Sequence, residues 1–585
     1  MIKLLKNIRK KEVVYAIICT VLIVAQIYFD LALPDYMSEL TKMIKTPGTA
    51  TSAVLTVGLK MLACALISAV FAVICGYLAA KTASGLSYTI REKLFRKVMG
   101  SSAKEMNEFS VPSLITRTTN DITQIQMIIS MGLQTMIKAP VMAVWAVIKI
   151  LGKSWELSVV TAGFVIAICV TVIAIMSVCL PRFRKVQKAT DKINRVAREN
   201  LTGINVVHAF NAEDYQNKKF DKPSSEMYSL QLKNQKMFAA MQPAMSLGMN
   251  GLALVIYWLG AALIDRISLG DPAARLEMFS NVTVFSTYAT YVVMSFMMLV
   301  MIFMMLPQAQ VSAERINEVL ESVNSIKEGT EVSGTEIGTV EFRNVSFRYP
   351  SSPEDEISGI NFKVNKGETL AVIGATGSGK STLINLIPRF YDATAGEVLV
   401  DGIDVRKYTF DALYDKLGFV TQKAVLFAGS VKDNVFFGES ASDRSNENLA
   451  KAVKVSQAEE FVEKLPRKTE YKVAQAGRNM SGGQKQRLSI ARAIARNPEI
   501  LVFDDSFSAL DYRTDSLLRE SLAAEMSGVT KIIVAQRVST IKNADKILVL
   551  DRGETVGMGT HEQLMQSCEV YREIASSQLS AAELA

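Results

Sequence analysis

Residues 374 to 381 read GATGSGKS, which matches the spacing G-x-x-x-x-G-K-S, between an apolar run, TLAVI, and a helical run, STLINLI. Phosphate binding explains that combination of residues and context. Gly374, Gly377 and Gly379 permit tight turns and close approach of the backbone to a ligand. Main-chain amides of the loop and the following helix N-terminus then face phosphate oxygens. Thr376, Ser378 and Thr382 are counted with this ATP-binding set. Lys380 is expected to reach the β- and γ-phosphates, and Ser381 to ligate Mg²⁺. Downstream, ILVFDD at 500–505 is an apolar strand that ends in two acids. Ligands of open α/β sheets bind at that edge, so Asp504 is placed to hold the Mg²⁺ shell, through water.

These residues need a rigid α/β scaffold. From Val340 onward short β-rich runs (VEFRNVSF, TLAVIG, EILVFD, KIIVAQ, KILVLD) alternate with helical ones, which predicts a substantially parallel sheet. The first half of the chain is different. Six apolar segments, near 13–33, 61–80, 127–150, 157–180, 237–264 and 279–306, each approach the ~20 residues that cross a ~30 Å hydrocarbon layer. Helices satisfy their own backbone in lipid, so six membrane helices are expected. The reading of the chain is therefore an amphipathic elbow at 1–12, a membrane domain at 13–310, a linker at 311–338 and a nucleotide-binding domain at 339–585. Segments 81–126 and 181–236 carry charges among heptad-like apolar positions and read as helices continuing beyond the membrane.

Composition agrees. The 585 residues are 49% hydrophobic and 21% charged, and the mean hydropathy is +0.21. That is too apolar for an ordinary soluble enzyme and too charged for a chain wholly inside lipid. The net charge of +8 is concentrated beside apolar spans, which is the positive-inside pattern and no argument for nucleic acid. Lys3, Lys6, Arg9, Arg91, Arg96, Arg182, Arg184 and their neighbours mark the cytoplasmic side. An even number of spans returns the nucleotide domain to that side of a cell membrane. The first apolar run is long for a signal-peptide core, so the basic N-terminus is expected to be retained. The six cysteines form no metal-ligand spacing, and the two histidines, His208 and His561, stand apart.

A third motif, MSGGQ at 480–484, opens the helical run KQRLSIARAIARNP. With the other two it resembles the signature of ABC transporter ATPases, and six spans before one nucleotide domain resemble an ABC exporter half-transporter of the bacterial multidrug or lipid type. The fold implied is an α-helical six-span membrane domain plus an α/β P-loop ABC ATPase domain. The resemblance implies several further roles. Tyr349 would stack on adenine. Gln422 would touch Mg²⁺ and face the membrane domain. Ser481, Gly482, Gly483 and Gln484 would contact the γ-phosphate of ATP held by a partner domain. Asp511 would belong to the loop crossing that interface. Two nucleotide domains would sandwich two ATP molecules head to tail.

The chain departs from the family at two catalytic positions. Asp505 stands where Glu normally polarises the attacking water, and Gln536 stands where a switch His is usual. The shorter acid sets its carboxylate back by roughly 1.5 Å. Gln can donate a hydrogen bond but carries no cation. VAQAGRN also departs from the family segment ahead of the signature, with Gln475 where an acid is common. The expectation is a subunit that binds ATP at its own impaired site and lends its signature to a partner half-transporter with Glu and His intact. A slow homodimer and a non-transporting regulatory subunit are the alternatives. Coupling helices are expected at Arg117–Ile125 and Asn211–Lys218, the second with Val207, Ala209, Phe210 and Glu213 in a family-like pattern. The cargo would be amphipathic: drug, lipid or peptide, without leader-peptide processing. Met294, Met297, Met298, Met301, Met304 and Met305 give the last span a polarisable face that either packs or meets cargo. Lys138 interrupts the third span and is expected to meet an anionic group or pair with an acid on the partner.

Overall fold

The computed structural model describes residues 2–46, 48–151, 153–267, 271–350, 352–438 and 443–579. The chain forms two compact units, one of residues 1–99 and 111–321, the other of residues 100–110 and 322–585.

In the first unit, among the described residues, six helices are long and apolar enough to cross a membrane. They lie within Lys10–Lys45, Thr51–Met99, Ile122–Leu151, Trp155–Thr202, Glu213–Asp265 and Pro272–Glu321. The second has 49 residues and the fifth 53, hence roughly 70–80 Å each at 1.5 Å per residue. That is more than twice the hydrocarbon thickness, so these helices continue well past the membrane. Local chemistry sets their ends. Ser154 caps the fourth by accepting from Leu157 N, and Pro272 occupies the first turn of the sixth, where its missing N–H costs nothing. Ahead of the first span a short helix, Ile2–Leu5, precedes a break at 6–9.

Close helix contact depends on small residues. A Cβ built on Gly260 of the fifth span would stand 2.6 and 2.7 Å from the Val282 methyls of the sixth. Several polar groups inside the bundle find partners there, where lipid offers none. Tyr288 OH donates to Leu31 O at 2.9 Å. Asp30 of the first span accepts from Lys138 of the third (3.3 Å) and Ser68 of the second (2.5 Å). Lys149 reaches Asp35 at 2.7 Å. Lys138 thus pairs with an acid of its own chain, a correction to the expected partner acid. Periodicity had marked the lysine as costly but could not say that Asp30 would face it.

In the second unit a six-stranded sheet runs Glu554–Gly559, Lys546–Asp551, Thr369–Gly374, Thr530–Val534, Ile500–Asp504, Leu417–Val420. All neighbours are parallel except the first pair. All but the exposed edge strand Glu554–Gly559 are buried on both faces, which is why they read as continuous apolar runs. Successive residues enter two different cores. Leu370, Val372, Ile500, Val502, Ile532 and Val534 enter one, with Leu383 and Ile384 of the helix after the glycine loop. Ala371, Ile373, Leu501, Phe503 and Ile533 enter the other, with Leu488, Ile490 and Ile494. A four-stranded antiparallel sheet covers the first core through Phe342 and Phe362, stacked at 4.5 Å.

Substituting Gly260→Leu is expected to overpack the fifth–sixth contact at a cost of about 1–3 kcal/mol. The detergent-solubilised protein should then melt earlier in a thermal ramp. Gly163→Leu, on the fourth span where nothing lies within 4 Å of the added carbon, is the control. Equal melting of both variants would contradict the close contact.

Candidate functional site

The glycine loop leaves the carboxyl end of Thr369–Gly374 and returns as the helix Lys380–Asn385. Its turns require glycine where φ is positive, at Gly377 (+82°) and Gly379 (+90°). A Cβ at Gly379 would also meet Ile357 Cγ2 at 2.5 Å. Lys380 is buried, and its ammonium donates to Gly374 O (2.8 Å) and Ala375 O (2.6 Å) at the lip of the loop. Burial lowers its pKa, opposed by the charges of Asp505 and Asp504. Thr376 and Gly377 are exposed, whereas Ser378 and Thr382 are buried.

Ser381 Oγ donates to Asp504 Oδ1 at 2.8 Å. A hydroxyl beside a carboxylate at a helix N-terminus is a hard-oxygen pair of the kind Mg²⁺ uses alongside phosphate and water. Burial raises the Asp504 pKa, the Ser381 hydroxyl opposes that, and the neighbouring Asp505 charge adds to it. No cluster of three His, Cys, Asp or Glu side chains suited to a metal occurs among the described residues. That is compatible with a cation held mainly through phosphate and water.

Asp505 is buried, and its carboxylate is bracketed by two amides. Gln536 Nε2 donates to its Oδ2 at 2.7 Å, and Gln422 Nε2 to the same oxygen at 3.4 Å. The backbone here is left-handed, φ +47°, a conformation Asp tolerates better than most residues. Burial raises the Asp505 pKa, against the hydrogen bond from Gln422 and the Lys380 charge. Lys380, Ser381, Gln422, Asp504, Asp505 and Gln536 are therefore one assembly at the sheet's carboxyl edge. Sequence spacing alone did not reveal that Gln422 and Gln536 share one carboxylate oxygen.

Other candidates lie apart from it or in unexpected company. Tyr349 is half-buried, with its hydroxyl 3.1 Å from Thr382 Oγ1 and its ring edge-on to Tyr391. Ser481 caps the helix Gly482–Ala495, and Ser481 and Gln484 form a reciprocal box at 3.0 and 3.3 Å. That helix packs in the core opposite the loop helix. Asp511 caps Tyr512–Glu525, accepting Thr514 N at 2.9 Å. Gln475 starts a short 3₁₀ turn through Gly477 and is exposed.

Two expectations about the connecting loops need correction. Residues 117–125 form no separate helix: a π-helical turn, Arg117–Asp121, runs directly into Ile122–Leu151. Arg117 is bound instead to Glu318 (2.7 Å) and Arg315 O (2.7 Å) of its own unit. The short helix of that loop is Ala103–Phe109, which belongs to the ATPase unit, where Asn107 Nδ2 donates to Tyr391 OH at 3.2 Å. The S-x-x-E box of Ser102 and Glu105 was its available signal. In the second loop the short separate helix is Ile204–Ala209, and Asn211–Lys218 falls instead on the turn at 210–212 and the first residues of Glu213–Asp265. Phe210 at that turn is 78% exposed.

The model of the ABC transporter transmembrane region matches residues 16–296, and that of the ABC transporter matches 357–508. The chain is 36% identical to an uncharacterized ABC transporter ATP-binding protein of Mycobacterium tuberculosis, over 93% of each chain. It is 31% identical to an ATP-dependent lipid A-core flippase of Pseudomonas aeruginosa, over 83% of this chain and 79% of that one. The structure of a bacterial Atm1-family ABC exporter with ATP bound superposes with a TM-score of 0.80 at 24% identity, covering 98% of this chain and 99% of that one. That last likeness shows the fold.

A carboxyl whose pKa folding raises resists ionisation in the native state. Its charge therefore weakens the fold at neutral pH, and the penalty is relieved as pH falls through the raised pKa. Asp505→Asn should raise the melting temperature of the full-length protein, without nucleotide, by on the order of 2 °C at pH 7.5. The gain should shrink as the pH is lowered into the carboxyl range. A gain independent of pH, or none, would show that the Asp505 charge does not strain the site.

Proposed function

The chain belongs to the ABC transporter family, and from that premise we propose that it is the degenerate half of a heterodimeric exporter. At the coarser level it is a multi-pass membrane protein with a cytoplasmic ATPase domain, built for ATP-driven export. The finer reading rests on one observation: the Asp505 carboxylate is one methylene shorter than the family's Glu and already accepts from Gln536 at 2.7 Å.

Water attack on the γ-phosphate needs a carboxylate lone pair aimed at the water and positive or donor groups around the transferring phosphoryl. Here Oδ2 is engaged by amides, and no imidazole stands at 536 to become cationic. A misplacement of about 1 Å can cost ~10²-fold in rate. Binding groups are intact by comparison. Lys380 and the loop amides would hold the β- and γ-phosphates, Ser381 and Asp504 would hold Mg²⁺ with the Gln422 carbonyl nearby, and Tyr349 would meet the base. Mg²⁺ would neutralise phosphate charge; the chain's own part is to position these groups.

The opposite placement of the loop helix and the signature helix across the sheet supports sharing between two chains. A nucleotide on this chain's loop would meet the signature of a partner. This chain's Ser481-Gly482-Gly483-Gln484 turn would in return complete a partner site with intact Glu and His. The exposed Phe210 turn would dock on the partner's ATPase domain, where an apolar patch like this chain's Val425, Phe427 and Phe437 could receive it. The similarity to a lipid A-core flippase makes an amphipathic cargo reasonable.

The test is a heterodimer in which the partner's Walker B Glu is changed to Gln. ATPase activity should fall to a few per cent. Asp505→Glu with Gln536→His in this chain should restore most of the lost activity, since correcting a misplacement of about 1 Å is worth up to ~10²-fold. Each single change should recover much less, because the pair shares one hydrogen bond. Full activity in the silenced heterodimer, or brisk transport by this chain alone, would overturn the degenerate assignment.

A further inference from the structure

The segment that carries Gln536 is held by a residue 42 positions further along the chain. The helix Glu569–Gln578 ends in Gln578. Its Oε1 accepts from Val538 N at 2.9 Å, and its Nε2 donates to Gln536 O at 2.9 Å. One side chain therefore grips the backbone on both sides of Arg537.

The acceptor half of this clamp meets a need that the segment does not fill itself. Val538–Ile541 is a short helix whose N-cap, Arg537, makes no side-chain cap. The first N–H groups of a helix have no partner within it. Gln578 supplies one from another element. The donor half acts on the ATP site. Gln536 O is fixed by Gln578 while Gln536 Nε2 donates to Asp505 Oδ2 at 2.7 Å. A residue held at its carbonyl and at its side-chain tip has little freedom left between them.

The helix that presents Gln578 is itself anchored. Tyr571 and Ala575 are fully buried, in the core that also receives the signature helix. The Tyr571 hydroxyl lies 2.7 Å from His561 Nδ1, at the start of the preceding helix His561–Ser567. A second brace comes from the helix Tyr512–Glu525. Arg519 Nη1 donates to Ser539 O at 3.3 Å, and Thr540 Oγ1 donates to Asp515 Oδ2 at 3.4 Å. That brace begins at Ser539, beyond the residue in the site, whereas Gln578 holds Gln536 itself.

We propose that Gln578 is a positioning residue of the ATP site. It sets the place of the Gln536 amide, and through it the donor offered to Asp505 and to the γ-phosphate. The proposal rests on the reading that Gln536 serves bound ATP, and it does not depend on whether that ATP is split.

Full-length protein in nanodiscs, with Mg²⁺, is titrated with the fluorescent N-methylanthraniloyl derivatives of ATP and ADP. The ratio of the two affinities reports the contact with the γ-phosphate. Gln578→Met keeps the side-chain length and removes both hydrogen bonds. It should lower the preference for ATP about five-fold, the size of one net hydrogen bond, with ADP affinity unchanged. Gln578→Glu keeps the acceptor for Val538 N and loses the donor. It should lower the preference equally while melting close to the wild type. Gln536→Ala should lower the preference by itself, and Gln578→Met added to it should change nothing more, because the positioned amide is gone. A purely structural role would instead weaken both nucleotides alike, in both backgrounds. An unchanged preference in Gln578→Met, or an equal further drop in the Gln536→Ala background, overturns the proposal. So does an unchanged preference in Gln536→Ala, which leaves Gln578 nothing to position. Gln578 is exposed at the end of its helix, so these variants leave the core intact. Hydrolysis by the silenced heterodimer would end the degenerate reading and leave these ratios as they are.

Discussion

A parallel sheet with both faces buried is the constraint from which the ATPase unit follows. Alternate residues of each strand enter opposite cores, so the chain must supply a helix to each side. The glycine-loop helix takes one side and the helix capped by Ser481 the other. The carboxyl edge then gathers Lys380, Ser381, Asp504 and Asp505 at strand ends, where main-chain amides and a helix N-terminus are already oriented toward a phosphate. Opposite sides also mean opposite duties. On the proposed reading, one nucleotide needs two chains because one sheet cannot put both helices on the same ligand.

The membrane unit meets a different constraint, the absence of water. Charged groups there are tolerated when they find partners. Asp30 joins three spans by accepting from Lys138 and Ser68, and Lys149 with Asp35 repeats the link between the first and third. Such pairs are weak evidence for stability, since desolvation offsets much of their attraction. They do fix which faces of those helices meet. With the charge engaged there, the faces of the fourth to sixth helices are left apolar and methionine-rich, and a cavity lined by Met294, Met297, Met298 and Met301 is found among them.

How much of this could be read from sequence depended on the range of the interaction. The loop, the ILVFD strand and the six spans were legible, because glycine turns, continuous apolar strands and ~20-residue apolar runs are local signals. The long cytoplasmic continuations were legible for the same reason. Two kinds of feature were not. One was the antiparallel sheet from Val340–Phe347, Ile357–Val364 and Ala395–Val400, in which Ile357–Val364 is interrupted by polar and glycine residues on its exposed face and Ala395–Val400 is apolar only in its second half. The other was pairing between distant residues. Nothing in a one-dimensional pattern says that Asp30 would meet Lys138, that Met241 and Met245 would face the sixth span, or that Ala103–Phe109 would join the ATPase unit. The misplaced helix at 117–125 has a physical reason as well. Arg117 is held by Glu318 and the Arg315 carbonyl of its own unit, a pairing that no local pattern announces.

The two unusual residues of the ATP site are best understood as a pair. Asp505 occupies a left-handed backbone position that suits a short acid, and its carboxylate lies 2.7 Å from the Gln536 amide. Each residue fits the other. A longer acid at 505 would push its oxygens into the place where the amide now sits, and a histidine at 536 would lose the partner at its present reach. Burial raises the Asp505 pKa, and the amide hydrogen bonds offset part of that rise by favouring the charged form. A neutral donor can hold such a carboxylate still through many openings and closings of a nucleotide sandwich, without the charge change that an imidazole would bring. On the proposed reading, that suits a site that grips ATP without readily splitting it.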